Sequence, residues 1–216
     1  MSKLEQIVEQ LGKNNPLDAA VAGCVTTIFH SISRTAEFTQ KTLTSFDPLS
    51  HVKPSDVKKR TDRNGLEVTS FSLPKTKCSD EPEDAYWSKQ SGVADPEANF
   101  NNHIAINSPP SNGPLFAYKH GNGHKPLTHK VFLDRLNEIA LALGLGPLKG
   151  HGLRIGGTLE YLLQGVPFDI VKSLGRWSSE AFVLYLHQHA VIMAPYLQSS
   201  PVLETFTRYT MPPVQN

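Results

Sequence analysis

The 216-residue sequence predicts a mainly helical α+β domain with one small antiparallel sheet. Three observations carry that expectation. Apolar segments of helical length begin at recognisable caps. One segment alternates apolar and polar residues behind an Asn-Gly turn. Neither an internal repeat nor a low-complexity run breaks the chain into arrays or linkers.

The elements follow in order. Asn15 caps a helix with Pro16 at its first position, and an apolar stretch runs from Leu17 through Ile32. Ser33 to Glu37 forms its polar end. A turn-rich passage, Ser45 to Pro48, leads to a basic stretch from Lys53 to Arg63. Leu66 to Leu73 alternates in the manner of a strand after Asn64-Gly65, and it pairs as a hairpin with Val57 to Arg60. Asp80 to Asp84 reads as an acidic loop. Asp95-Pro96-Glu97 starts a second helix that ends near Asn107, before Pro109-Pro110. Leu115 to Tyr118 is a candidate short strand. A third helix runs from Thr128 to Gly144, a fourth from near His151 to Gly165, and a fifth from Phe168 to Leu174. A sixth begins at Ser178 or Ser179 and passes Tyr185.

Composition narrows the function. The chain is 39% hydrophobic and 19% charged, which is ordinary for a globular domain and argues against wholesale disorder. No apolar run approaches the length of a membrane span, and the polar start lacks the core of a secretory signal. Cys24 and Cys78 are far apart and form no CxxC pair, so neither a disulfide framework nor a structural zinc site is expected. His120, His124 and His129 are closely spaced but have no carboxylate or thiol at ligand spacing, and they read as a solvated loop. Phosphate-loop, dinucleotide and serine-hydrolase motifs are absent, so no nucleotide partner and no cofactor is expected.

Chemistry-bearing residues concentrate between His151 and Tyr185. His151 and Arg154 are three apart, so on a helix they share a face. An imidazole beside a forked, permanently charged guanidinium suits an anionic phosphate. Gly175-Arg176-Trp177 follows, with Trp177 23 residues after Arg154 and Tyr185 eight residues beyond it. This order of His-x-x-Arg, Gly-x-Trp and Tyr resembles the C-terminal half of the tyrosine recombinase (phage integrase) family. The last spacing is one residue short of that in bacterial and phage members. The phrase from Gly175 to Leu186 looks closer to versions found in eukaryotic, including fungal, mobile elements.

The resemblance implies two further residues upstream. A first catalytic arginine in an Arg-x-x-Glu context is matched by Arg34 and Glu37. A lysine on the turn leaving a hairpin strand is matched by Lys77, with Lys75 as the alternative. It covers most of the chain, with residues 1–16 as a lead-in, 17–197 as the catalytic domain and 198–216 as a tail. The separate DNA-clamping domain that usually precedes the catalytic one is not matched. The implied site is Arg34, Lys77, His151, Arg154, Trp177 and Tyr185, with Tyr196 as the second candidate nucleophile.

Those residue types suit the implied reaction, metal-independent cleavage and rejoining of double-stranded DNA. A phenol with a pKa of about 10 is a poor nucleophile near neutrality and must be aimed and activated. Two arginines hold the charge that builds on the non-bridging phosphate oxygens. A lysine can protonate the leaving 5′-oxygen, and an indole N–H can donate to the phosphate. The 3′-phosphotyrosyl link conserves the bond, so rejoining needs no nucleotide. The alternatives are a catalytically inactive DNA-binding relic or domesticated mobile-element domain and, more remotely, a type IB topoisomerase-like activity. Integration, self-association on DNA and a nuclear location belong to the same expectation.

The formal net charge of only +1 speaks against a nucleic-acid partner until its distribution is considered. Residues 51–77 hold seven basic and three acidic side chains, and the acidic run at 80–84 cancels that excess. A positive face is compatible with a neutral total.

Overall fold

The computed structural model describes residues 2–77, 79, 81–177 and 194. Its centre is α2 (Pro16–His30), apolar on nearly every side, so it must be covered all round. Asn15 caps it by accepting from the Asp18 amide, as the sequence suggests. On one flank lies α4 (Pro96–Asn107), capped by Asp95. Contact there is close: a Cβ on Gly23 would stand 3.1 Å from the His103 Cβ and 3.3 Å from the Asn99 carbonyl oxygen.

A three-stranded antiparallel sheet closes another side. Strands β1 (Val57–Thr61) and β2 (Glu67–Leu73) pair in the expected hairpin, with Val57 opposite Phe71. Phe71 and Leu73 point into the core, where Phe71 meets Phe38, Trp87 and Phe100 at centroid distances of 5.5–5.7 Å. The third strand, β3 (Glu83–Trp87), corrects the acidic-loop reading of residues 80–84 in its second half. Ala85 and Trp87 face the core, and the carboxylates at the strand's start are used at its edge. Glu83 accepts from the Thr76 hydroxyl at 2.6 Å, and Asp84 pairs with Arg60 at 3.0 Å. Cross-strand charge pairing therefore offsets the poor strand propensity of Glu and Asp.

Two further readings are revised. Leu115, Phe116 and Ala117 are buried but form a turn, and the strand β4 starts only at Tyr118 (Tyr118–His120) to pair with β5 (Gly123–Lys125). The lead-in holds a helix, α1 (Lys3–Glu9), whose Leu4, Ile7 and Val8 join the main core. Its Ser2 and Glu5 form a reciprocal capping box.

The last helices complete the frame. Thr128 caps α5 (His129–Ala142), and Arg135 grips the buried Asp18 carboxylate with two bonds of 2.7 and 3.0 Å. The fourth expected helix is α6 (Gly150–Leu163), which crosses the end of α2 at Gly157. A Cβ there would be driven into the Phe29 carbonyl, so glycine allows the backbones to touch. The Tyr161 hydroxyl then donates to the His30 carbonyl at 2.8 Å. The short helix α7 (Phe168–Leu174) packs Val171 against Ile32 and Leu162 in a smaller apolar cluster. The expected sixth helix lies outside the described residues. Among the described residues no helix is long and apolar enough to cross a membrane.

Candidate active site

Where α2 ends, the chain turns sharply. Ile32 takes φ 49°, a left-handed conformation that disfavours a β-branched residue and stores on the order of 1–3 kcal/mol. Its burial against α7 holds it there. The turn delivers Arg34 to the cap position of a one-turn helix, α3 (Thr35–Phe38). Glu37, whose side chain is 4% exposed, accepts from the Arg34 amide at 2.8 Å and from its guanidinium at 3.0 Å. The Arg-x-x-Glu spacing thus has a local cause: the carboxylate three residues on both caps the turn and orients the arginine.

The first turn of α6 supplies the next residues. Gly150 lies so close to α3 that a Cβ would stand 2.5 Å from the Thr35 hydroxyl oxygen and 3.2 Å from His129 Cε1. That approach carries His151 and Arg154 to the Arg34 turn. Arg154 is almost wholly buried, donates to the Gly175 carbonyl at 2.5 Å and sets its guanidinium 4.0 Å from the Trp177 ring centroid. A side chain on Gly175 would be driven into the indole of Trp177, so this turn also depends on glycine.

Lys77 arrives from the sheet. Thr76, buried, anchors the turn after β2 through Glu83 and through Ser79, whose amide donates to its hydroxyl at 3.2 Å. Lys77 itself is exposed. Together Arg34, Lys77, His151, Arg154 and Trp177 line one cleft of about 330 Å³, with Thr35, Ala36, His129 and Gly150 as its remaining walls. Lys77 rather than Lys75 is on that lining. Tyr185 and Tyr196 lie outside the described residues.

The cleft is electropositive. His151 has its pKa lowered below the ordinary imidazole value by partial burial and by the positive charges of Arg154 and Arg34. The buried Glu37 carboxylate is shared with a second arginine, Arg176, at 2.6 Å, so the trio keeps a net positive charge. Such an arrangement presents fixed cationic donors and a neutral imidazole to an anion. A neighbouring hollow of about 510 Å³ shares Ala36 and His129 and adds Lys41, His51 and Lys130, extending the basic surface.

Solved structures with this architecture include the Flpe–Holliday junction complex, 14% identical with a TM-score of 0.57, covering 83% of this chain and 43% of that one. Another is the XerH site-specific recombinase bound to difH substrate in a pre-cleavage complex, 16% identical with a TM-score of 0.57, covering 89% of this chain and 50% of that one. The chain has a tyrosine-recombinase-like fold. It spans half or less of the length of these structures. It matches no protein-family model and no curated protein.

The three closely spaced histidines part company in the fold. His120 and His124 sit on the β4–β5 hairpin, where His124 Nε2 lies 2.7 Å from the Asn107 carbonyl. His129 lines the cleft, contrary to the solvated-loop reading. It is brought there by a parallel bridge between Gln40 and Thr128, a long-range contact with no local sequence signal. Among the described residues no group of three or more His, Cys, Asp or Glu side chains is placed to hold a metal ion.

Proposed function

We propose that the chain is a DNA strand-breaking and rejoining catalytic unit that works through a 3′-phosphotyrosyl intermediate. One observation carries this reading: Arg34, Lys77, His151, Arg154 and Trp177 come from four separate segments and line one cleft.

Arg34 and Arg154 would hold the two non-bridging oxygens, and each is braced by the protein, Arg34 by Glu37 and Arg154 by the Gly175 carbonyl and Trp177. Bracing fixes the donors before charge develops, so little reorganisation is needed in the transition state. The phenol oxygen of Tyr185 attacks phosphorus in line, and the 5′-oxygen leaves with a proton from Lys77. His151, whose pKa is lowered by partial burial and by its cationic neighbours, accepts the phenol proton or donates to a phosphate oxygen. One phosphodiester bond is exchanged for another, so religation is the same step reversed. The basic hollow beside the cleft, with Lys41 and Lys130, offers a path for the adjoining strand. Site-specific recombination or integration, of the kind carried out by mobile elements in a nucleus, is the process such a unit would serve.

The test uses a pool of nicked duplexes of randomised sequence, which trap a covalent adduct when the short cleaved strand diffuses away. The wild-type chain should form an adduct visible on a denaturing gel, and Tyr185→Phe should abolish it. An adduct lost only in Tyr196→Phe reassigns the nucleophile. Duplex retained in a mobility shift with no adduct from the wild type would overturn catalysis in favour of a DNA-binding domain.

A further inference from the structure

Arg176 lies outside the cleft lining, yet it is the side chain that joins the cleft's two halves. Its backbone adopts φ 53°, the left-handed region that favours glycine, immediately before Trp177. A bulky residue stays in that conformation only where its surroundings hold it. Here the guanidinium, 7% exposed, donates to Glu37 at 2.6 Å and to the Ser33 hydroxyl at 3.3 Å. Both partners flank Arg34 in the chain. The Ser33 hydroxyl is itself 2.7 Å from that of Ser31, in the turn where Ile32 is also left-handed. Two strained turns therefore meet, and Ile32 Cγ2 would stand 3.1 Å from a Cβ on Gly175.

We infer that Arg176 is a positioning residue: through Glu37 and Ser33 it ties the Gly175–Trp177 turn, and with it the Arg154–Trp177 stack, to the turn that carries Arg34. The inference rests on the reading of the cleft as a phosphoryl-transfer site. The Arg176–Glu37 bond between these turns is ionic, and the helices that carry them, α3 and α7, are only one or two turns long. Two arginines that must grip one phosphate need a fixed separation, and one guanidinium nitrogen bridging a buried carboxylate and a hydroxyl supplies it.

The design separates this from the catalytic reading. Removing the side chain as Arg176→Gly also relieves the left-handed backbone, so the tether is lost without added strain. Glu37 keeps Arg34 as a partner, so no buried carboxylate is orphaned. The chain has two tryptophans, so 5-fluorotryptophan labelling gives two fluorine signals, with Trp177 assigned by Trp177→Phe and Trp87 reporting the core. In Arg176→Gly the Trp177 signal should move toward that of exposed indole while the Trp87 signal stays. Adduct formation on the nicked-duplex pool should fall about 10- to 100-fold, the effect of misplacing a group by about 1 Å. Arg176→Lys, which keeps the charge but not the planar guanidinium, should recover part of the rate and carries the test if the glycine variant does not fold.

An unmoved Trp177 signal overturns the tether, and an unchanged rate in a variant whose Trp177 has moved overturns the positioning role. If the wild type forms no adduct, the catalytic reading fails while the fluorine signals still decide whether Arg176 holds the turn.

Discussion

Two histidines with lowered pKa values show how this molecule uses polar groups in opposite ways. His103, on α4, is fully buried, and its Nε2 donates to the Leu115 carbonyl while Nδ1 accepts from the Asn107 amide, each at 3.0 Å. Asn107 in turn donates to the Pro16 carbonyl and accepts from the Lys119 amide. Every bond ends on the protein, and burial pushes the imidazole down to about 4. His151 is largely exposed, and its pKa is lowered by partial burial and by two arginines that line the same cleft. The first network closes upon itself and specifies how α2, α4 and the β4–β5 hairpin pack. The second keeps an excess of positive charge facing an opening. A polar group closed off by protein partners marks structure; one beside clustered positive charge at an opening marks a place for a ligand.

The largest expected effect lies on the cleft side. Arg154→Lys keeps the charge but loses the fork and the stacking on Trp177, and adduct formation should fall about 10²- to 10³-fold, equivalent to about 3–4 kcal/mol of transition-state stabilisation. Single-turnover trapping on nicked duplex measures it. A rate near that of the wild type would place Arg154 with His103, as structure only.

Next in size is the acid response of the closed network. An unfolded chain takes up a proton on His103 at about 6.5, whereas the folded chain does so only at about 4. Between those values the unfolded state binds more protons, so stability falls as the pH drops from 6.5 to 4. The loss attributable to His103 should reach about 3 kcal/mol at pH 4 and be absent above pH 6.5. Urea unfolding of the wild type and His103→Gln at pH 7 and pH 4.5 isolates it. Parallel pH dependence in the two proteins would remove His103 as the cause.

The smallest effect sharpens the contrast directly. In NMR titrations, His151 should have a pKa below the ordinary value, and inorganic phosphate or duplex DNA should raise it by neutralising Arg34 and Arg154. High salt should raise it too by screening, and His103, set by burial, should respond to neither. An unshifted His151 would detach it from the two arginines.

Much of the frame was legible because its signals are local. Asn15, Asp95 and Thr128 each announce a helix start, since a side-chain oxygen reaches an amide only two or three residues away. The alternation around Phe71 and the Asn64-Gly65 turn set the β1–β2 register by the same short reach. β3 escaped because its start is acidic, and the Arg60 that pairs with Asp84 is 24 residues away in sequence. α1 escaped because a seven-residue polar helix shows its apolar face only once docked on the core.

In the site, the order of Arg34, Lys77, His151, Arg154 and Trp177 could be read as a pattern, through the family it resembles. The sequence by itself determined which side chains are available and how they are spaced along α6 and the turn after α7, because helical periodicity converts spacing into a shared face. Only the tertiary structure decided that they meet. Gly150 and Gly157 allow backbones to touch, Ile32 and Arg176 accept left-handed turns, and the Gln40–Thr128 bridge brings in His129. Each depends on chain segments far apart in sequence, and such contacts acquire their energies only after the core around α2 has closed.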